Sequence, residues 1–209
     1  MFSPCTDDGL EPQLSVADML SLRTWLGEAV QAHQAIAMLD LGKQRSRLLI
    51  SEGESGHPQP VFHHMQLGVD LLATRTFKRH MPNEAQLEQG IMLVEDAVMP
   101  VARLIPASNI FVTRDPYLLA VGQQALGVPD LQSILNETGR LPVLSREAVE
   151  SLFDQLARQA VYPQIPLGDL PQSAPWAAAL LILREILHRW QLGAIRLLPS
   201  FPDYAPPRG

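Results

Sequence analysis

The stretch AIAMLDLGKQRSRLLIS, Ala35 to Ser51, decides how the rest of the chain is read. An apolar run, Ile36–Leu41, carries Asp40 and ends at Gly42; a polar turn follows, and a second apolar run, Arg47–Ser51, leaves it. Asp favours tight turns because its side chain bonds nearby backbone groups, and Gly because it lacks a Cβ. The pattern predicts two short strands joined by that turn. A strand, an Asp-x-Gly turn and a return strand open several folds that handle phosphate, so the stretch raises the question of whether this turn still does.

Working outward, PVFHHMQLG (Pro60–Gly68) reads as a third strand after the turn at GESGHPQP. Upstream, SVADMLSLRTWLGEAVQAH predicts an added helix over Ser15–His33, with Val16, Met19, Leu20 and Leu26 on one face and Ser15 and Asp18 resembling a capping box. Downstream, Asn83 with Gln86 forms the start signal of a long helix whose apolar face is Leu87, Ile91, Val94, Val98, Val101 and Ile105. Pro100 is expected to kink or end it near Met99. NIFVT (Asn109–Thr113) follows as a strand, and Asp115-Pro116 reads as an N-cap with proline at the first helical position.

Ser145 caps a further helix whose buried face is Val149, Leu152, Phe153, Leu156 and Ala160. Trp176, Leu180, Leu183, Leu187 and Trp190 trace a last amphipathic helix that stops near Gly193, and Ala194–Ser200 supplies a final strand. The chain thus divides into residues 1–34 (a tail and the added helix), residues 35–200 (a single α/β domain) and residues 201–209 (a Pro-rich, extended tail, FPDYAPPRG). Three early strands followed by helix–strand alternation predict a mixed sheet flanked by helices.

With 46% hydrophobic residues the 209-residue chain has ample material for one core. Sixteen basic against twenty-two acidic residues give a net charge of −6, and no basic run is interleaved with aromatics. Nucleic acid and anionic membrane surfaces are therefore excluded as expected partners. A lone cysteine, Cys5, rules out an internal disulfide, and MFSPCTDDGLEPQ lacks the parts of a secretory signal. The most apolar segment, WAAALLILREIL, is too short to span a bilayer. These features are those of a soluble, cytoplasmic protein.

The order of elements, with these residues, resembles one half of the exopolyphosphatase/guanosine-pentaphosphate phosphohydrolase (Ppx/GppA) family, part of the actin-like, ribonuclease-H-like superfamily. MLDLGKQRSRLLIS resembles the family's opening hairpin, and MQLGVDLL the segment after the third strand. EQGIMLVEDAVMPVARLIPASNIFVT is similar to the long helix and following strand, LPVLSREAVESLFDQLAR to a later helix, and WAAALLILREILHRWQLGAIRLLPS to the closing helix and strand. The resemblance covers Ala35 to Ser200 and best fits the second half, although Arg47-Leu48 matches the first half's loop. It implies an actin-like, ribonuclease-H-like α/β fold: three antiparallel strands, then helix–strand alternation.

The same resemblance implies a site. Asp40 takes the position of the aspartate that places metal and water near phosphate, making it the candidate catalytic residue and, with Mg²⁺ as the cofactor if the chain is catalytic, the candidate metal ligand. Gly42, Lys43 and Arg45 are the candidate phosphate-binding residues. The family's loop is rich in glycine, whose backbone can approach a phosphate, but Lys43, Gln44, Arg45, Ser46 and Arg47 follow Gly42 here. The family's second phosphate turn, Ser-Gly-Thr, falls on Asp115-Pro116-Tyr117. The other half of the family supplies the opposite cleft wall and a catalytic glutamate, for which the chain has no room.

These departures point to a degenerate, non-catalytic Ppx/GppA-like domain acting through a phosphate-bearing small molecule or a protein partner, with a homodimer covering the missing half. The alternative is a phosphohydrolase in which a metal assists water attack on a phosphoanhydride. Other chemistry-bearing residues take structural roles. His63 and His64 are adjacent, so a strand points them to opposite faces and they cannot share one ion. His33, His57, His80 and His188 have no ligand spacing, Cys5 has no positioned base, and Trp176 and Trp190 belong to a helix's apolar face.

Overall fold

The computed structural model describes residues 22, 23, 26, 30, 34–51, 60–164 and 169–199. The opening hairpin is β1 (Ala35–Leu41) and β2 (Ser46–Ser51), and β3 is Val61–Met65. Two helices follow, α1 (Val69–Arg75) and α2 (Glu84–Ala102), then β4 (Asn109–Thr113), α3 (Pro116–Leu126) and α4 (Leu131–Thr138). The chain continues through β5 (Val143–Ser145), α5 (Arg146–Val161), α6 (Ala174–Arg189) and β6 (Ala194–Leu197). The six strands form one mixed sheet in the order β3-β2-β1-β4-β6-β5. The pairs β1·β2, β2·β3 and β5·β6 are antiparallel, whereas β1·β4 and β4·β6 are parallel.

β1 is apolar along almost its whole length because both of its faces are buried. Ala37, Leu39 and Leu41 enter the larger core under the helices. Ile36 and Met38 face the opposite way, into a smaller cluster with Leu49, Ile110, Val112 and Leu198. Leu22 and Leu26 pack into that second cluster, so residues of the expected Ser15–His33 helix cover this face. Residues 15–21, with the expected Ser15–Asp18 capping box, lie outside the described residues, as do Cys5 and residues 201–209.

Three of the helices begin where the sequence signals them. Asn83 and Gln86 make a reciprocal capping box at α2, while Asp115 and Ser145 cap α3 and α5 with their side chains. Of the two expectations for Pro100, a kink or an end near Met99, the end is corrected: α2 runs through Pro100 to Ala102. Pro100 sits exposed in the last turn, so the missing N–H and the bulk of the ring disturb little that is buried. The third and final strands are also shorter than the apolar runs suggest, closing at Met65 and Leu197.

α6 is the centre of the helical layer and touches α1, α2, α3 and α5. A helix surrounded in this way must be apolar on nearly every side, and the buried run from Ala177 to Leu183 supplies that. Its exception is Glu185, with 0% exposure, whose carboxylate pairs with Arg184 and, at 3.4 Å, with Arg189. Those arginines continue outward to Glu150 of α5 at 3.0 Å and Glu95 of α2 at 2.9 Å. The chain of charges ties three helices together, and Arg184 also lies 5.0 Å from the centre of the Phe153 ring. Replacing Glu185 with Ala removes the shared anion; urea unfolding of Glu185→Ala should show a loss of about 3 kcal/mol, the low end for a broken buried pair because the arginines are partly solvated.

Candidate functional site

Because β1 and β4 run parallel, both deliver the chain to the same edge of the sheet. There the turn after β1 meets the turn after β4, and the side chain that joins them is Asp115. Its Oδ2 accepts the backbone N–H of Leu41 at 2.8 Å, and its Oδ1 accepts those of Tyr117 at 2.9 Å and Leu118 at 3.2 Å. Thr113 steadies the approach: its hydroxyl donates to the Leu39 carbonyl at 2.7 Å and accepts from the Asp115 N–H at 3.0 Å. One carboxylate therefore takes up the free donors at the end of β1 and at the start of α3.

Asp115 is only 6% exposed. Burial pushes its carboxyl up to about 7, against the pull of the hydrogen bonds from Leu118, Leu41 and Tyr117, and the nearby charge of Asp40 adds to the rise. Burial also raises the Tyr117 phenol, with Asp70 and Asp115 contributing.

The second set of helix donors at this edge is consumed by the turn itself. The Gly42 carbonyl accepts from Val69 N–H at 3.0 Å, and the Lys43 carbonyl from Asp70 at 2.9 Å and Leu71 at 3.1 Å. The start of α1 is thus capped by the β1–β2 turn rather than by a side chain. This close approach explains two glycines. A Cβ on Gly42 would overlap the Arg45 carbonyl, and one on Gly68 would overlap the Lys43 carbonyl and lie 2.6 Å from the Gln44 Cα. Ser46, fully buried, donates its hydroxyl to the Leu67 carbonyl at 2.6 Å and seals the same junction.

The residues expected at the site are placed as follows. Asp40 lies at the end of β1 opposite Arg47, and the two side chains form an ion pair at 2.8 Å, each 14% exposed. Arg47 also lies 5.8 Å from the centre of the Phe62 ring. Gly42 is at the turn, with its carbonyl bound to α1, while Lys43 and Arg45 are exposed and, among the described residues, have no side-chain hydrogen bond or ion pair. The structure brings Asp40 and Asp115 to one edge, but it leaves the two cations at the turn's solvent side.

The resemblance implies Mg²⁺ at Asp40, and the donor set tests that. Asp40 is engaged by Arg47 and Asp115 by backbone N–H groups, and among the described residues no three His, Cys, Asp or Glu side chains are grouped to hold an ion. Among the described residues there is therefore no preformed cage of protein ligands for an ion. Sequence reasoning placed Asp115 as a helix cap and at the position of the family's second phosphate turn; its bond to Leu41 has no local signature, since 74 positions separate the two.

A sheet of three antiparallel strands continued by parallel ones, with helices packed on it, is the actin-like, ribonuclease-H-like α/β fold. Solved structures that it matches include several of the Ppx/GppA type. The Ppx/GppA enzyme of Aquifex aeolicus superposes with a TM-score of 0.63 at 11% identity, over 90% of this chain and 58% of that one. An exopolyphosphatase-like protein gives 0.62 at 14% identity, over 89% and 62% of the two chains. An exopolyphosphatase from Cytophaga hutchinsonii gives 0.55 at 13%, over 87% and 59%. The chain thus spans roughly 60% of the length of these structures, as a half-size Ppx/GppA-like domain does, and at such identities the fold is what they share. No family model and no curated protein matches the sequence.

The raised Asp115 carboxyl has a consequence for stability. The folded chain holds this proton more tightly than the unfolded chain, whose value is near 3.8, so stability falls as pH rises between those two values and levels off above about 7. Wild type should lose about 2–3 kcal/mol between pH 5 and pH 8 relative to Asp115→Asn, which has no proton to release. Parallel urea titrations of the two proteins measure the difference; parallel pH profiles would contradict it.

Proposed function

We propose that this chain is a Ppx/GppA-like lobe that works by binding rather than by hydrolysis, with a second copy of itself or another protein covering the side where the longer relatives continue. The observation that carries this reading is the occupied cradle. Backbone N–H groups at two helix starts are the usual means of gripping a phosphate. Here Asp115 takes those of α3, and the Gly42 and Lys43 carbonyls take those of α1. A phosphoryl group entering this edge would meet a buried carboxyl instead of free donors.

The proteins that share the fold include exopolyphosphatases by name, so a phosphohydrolase is the reading to set against this one. It would use Asp40, Lys43 and Arg45 and take its base from a second subunit. Phosphate release from polyphosphate in the presence of Mg²⁺ separates the two. Wild type and Asp40→Ala should both be indistinguishable from buffer, and light scattering should give twice the chain mass. Magnesium-dependent release by wild type that disappears in Asp40→Ala would overturn the binding reading.

Gly68 offers a check on the cradle's construction. A methyl group there collides with backbone of the β1–β2 turn, which no rotamer change relieves. Gly68→Ala should cost about 2–3 kcal/mol in urea unfolding, and a loss within error would mean that the turn and α1 are not locked together.

A further inference from the structure

At the end of the sheet away from Asp115, where the parallel strands start, β4 and β6 part. They are paired at Val112–Arg196 and Thr113–Leu197, yet both begin earlier, at Asn109 and Ala194. In a parallel ladder the rung before these would join Ile110 to Ala194. That rung is not formed, and both residues line a cavity of about 540 Å³ that opens in its place. Phe111 and Trp190 form its inner wall, their rings edge-on at 5.8 Å between centres.

Among the described residues that line the cavity, Arg196 alone is charged. Its cross-strand neighbours are Val112 and Val143, so neither offers it an acid. Arg47, Arg184 and Arg189 each hold a carboxylate of the chain, at 2.8, 3.0 and 2.9 Å. Arg196 is partly buried and, among the described residues, has no side-chain hydrogen bond or ion pair. A guanidinium is a planar fork of donors that matches a carboxylate two bonds at a time. Asn109, also in the wall, is steadied by its Nδ2 bond to the Pro106 carbonyl at 2.7 Å, which leaves Oδ1 as an acceptor. Gln191 adds a second amide from the turn after α6, at φ 55°, the left-handed position that glycine usually fills at a helix end.

We propose that this cavity binds a small monocarboxylate that also carries an amide, with its carboxylate on Arg196 and its amide on Asn109, Gln191 and the open rung of the ladder. One cation and no acid select a single negative charge. The side-chain amides and the open rung select a ligand that bonds through N–H and C=O, as a neighbouring strand would. The site is separate from the closed edge: it sits where β4 starts, and Asp115 follows where β4 ends.

The test titrates the full chain with N-acetylglycine and, separately, with the uncharged N-acetylglycinamide. The reporter is the NMR resonance of the Trp190 indole N–H, which is held in the wall by its 3.0 Å bond to the Val98 carbonyl. N-acetylglycine should shift that resonance saturably, with a Kd on the order of 1 mM for so small a probe. The uncharged amide should give no saturable shift. Arg196→Gln should weaken binding at least about tenfold and leave the urea midpoint in place, because the guanidinium bonds nothing in the fold. Gln191→Gly relieves the backbone, so it should raise the midpoint while weakening binding, a pairing that a purely structural residue would not give. The proposal fails if N-acetylglycine gives no saturable shift, if the uncharged amide shifts the resonance equally, or if Arg196→Gln binds as wild type does. Should Arg196→Gln disturb folding, the two probes compared on wild type and on Gln191→Gly decide the matter.

Discussion

One carboxylate holds the edge of this molecule together. Asp115 closes α3, as many aspartates close helices, but it also reaches across to the last N–H of β1. β1 pairs with β2 on one side and β4 on the other, so its end sets where both turns lie. With Thr113 bonded to Leu39 directly beneath, the two parallel strands are fixed in register up to their final residue. The geometry that in an anion-binding fold would face a ligand is here turned inward and satisfied by the chain.

The two buried carboxylates among the described residues are stabilised by different means, and the difference matters for what each can do. Glu185 is surrounded by guanidinium groups, so its charge is compensated by charge and passed outward through Arg184 and Arg189 to partly solvated acids. Asp115 has only backbone N–H donors, which favour the anion less than burial and Asp40 disfavour it. The first is a fixed tie between helices. The second sits close to its titration point at neutral pH.

Much of this was legible in the sequence because the signals were local. The hairpin could be read from its apolar runs and its Asp-Gly turn, and the starts of α2, α3 and α5 from Asn83, Asp115 and Ser145. The elements that escaped are those whose cause lies elsewhere in the chain. α1 is seven residues long and begins at Gly68 with no side-chain cap; its start is set by carbonyls from a turn more than twenty positions upstream. β5 has three residues and exists because β6 pairs with it, leaving its sequence to look like the lead-in to α5. α4 hides behind one buried residue, Leu131. At the site, Asp40 and Gly42 could be picked out by type, but the ion pair with Arg47 and the role of Asp115 across the sheet required the fold.

The same division between near and far contacts sets an order of assembly. The β1–β2–β3 meander and α1 involve short loops, and the Gly42 and Lys43 bonds to α1 close within that segment. The Leu39–Thr113 and Leu41–Asp115 bonds each close a loop of 74 positions, and the parallel strand they align can join only after α2 has crossed over. The hairpin edge is therefore a template completed early, and Asp115 is a latch thrown late. Until it closes, the donors at the end of β1 remain open to water, and the edge that is sealed in the finished domain is the last to lose its hydration.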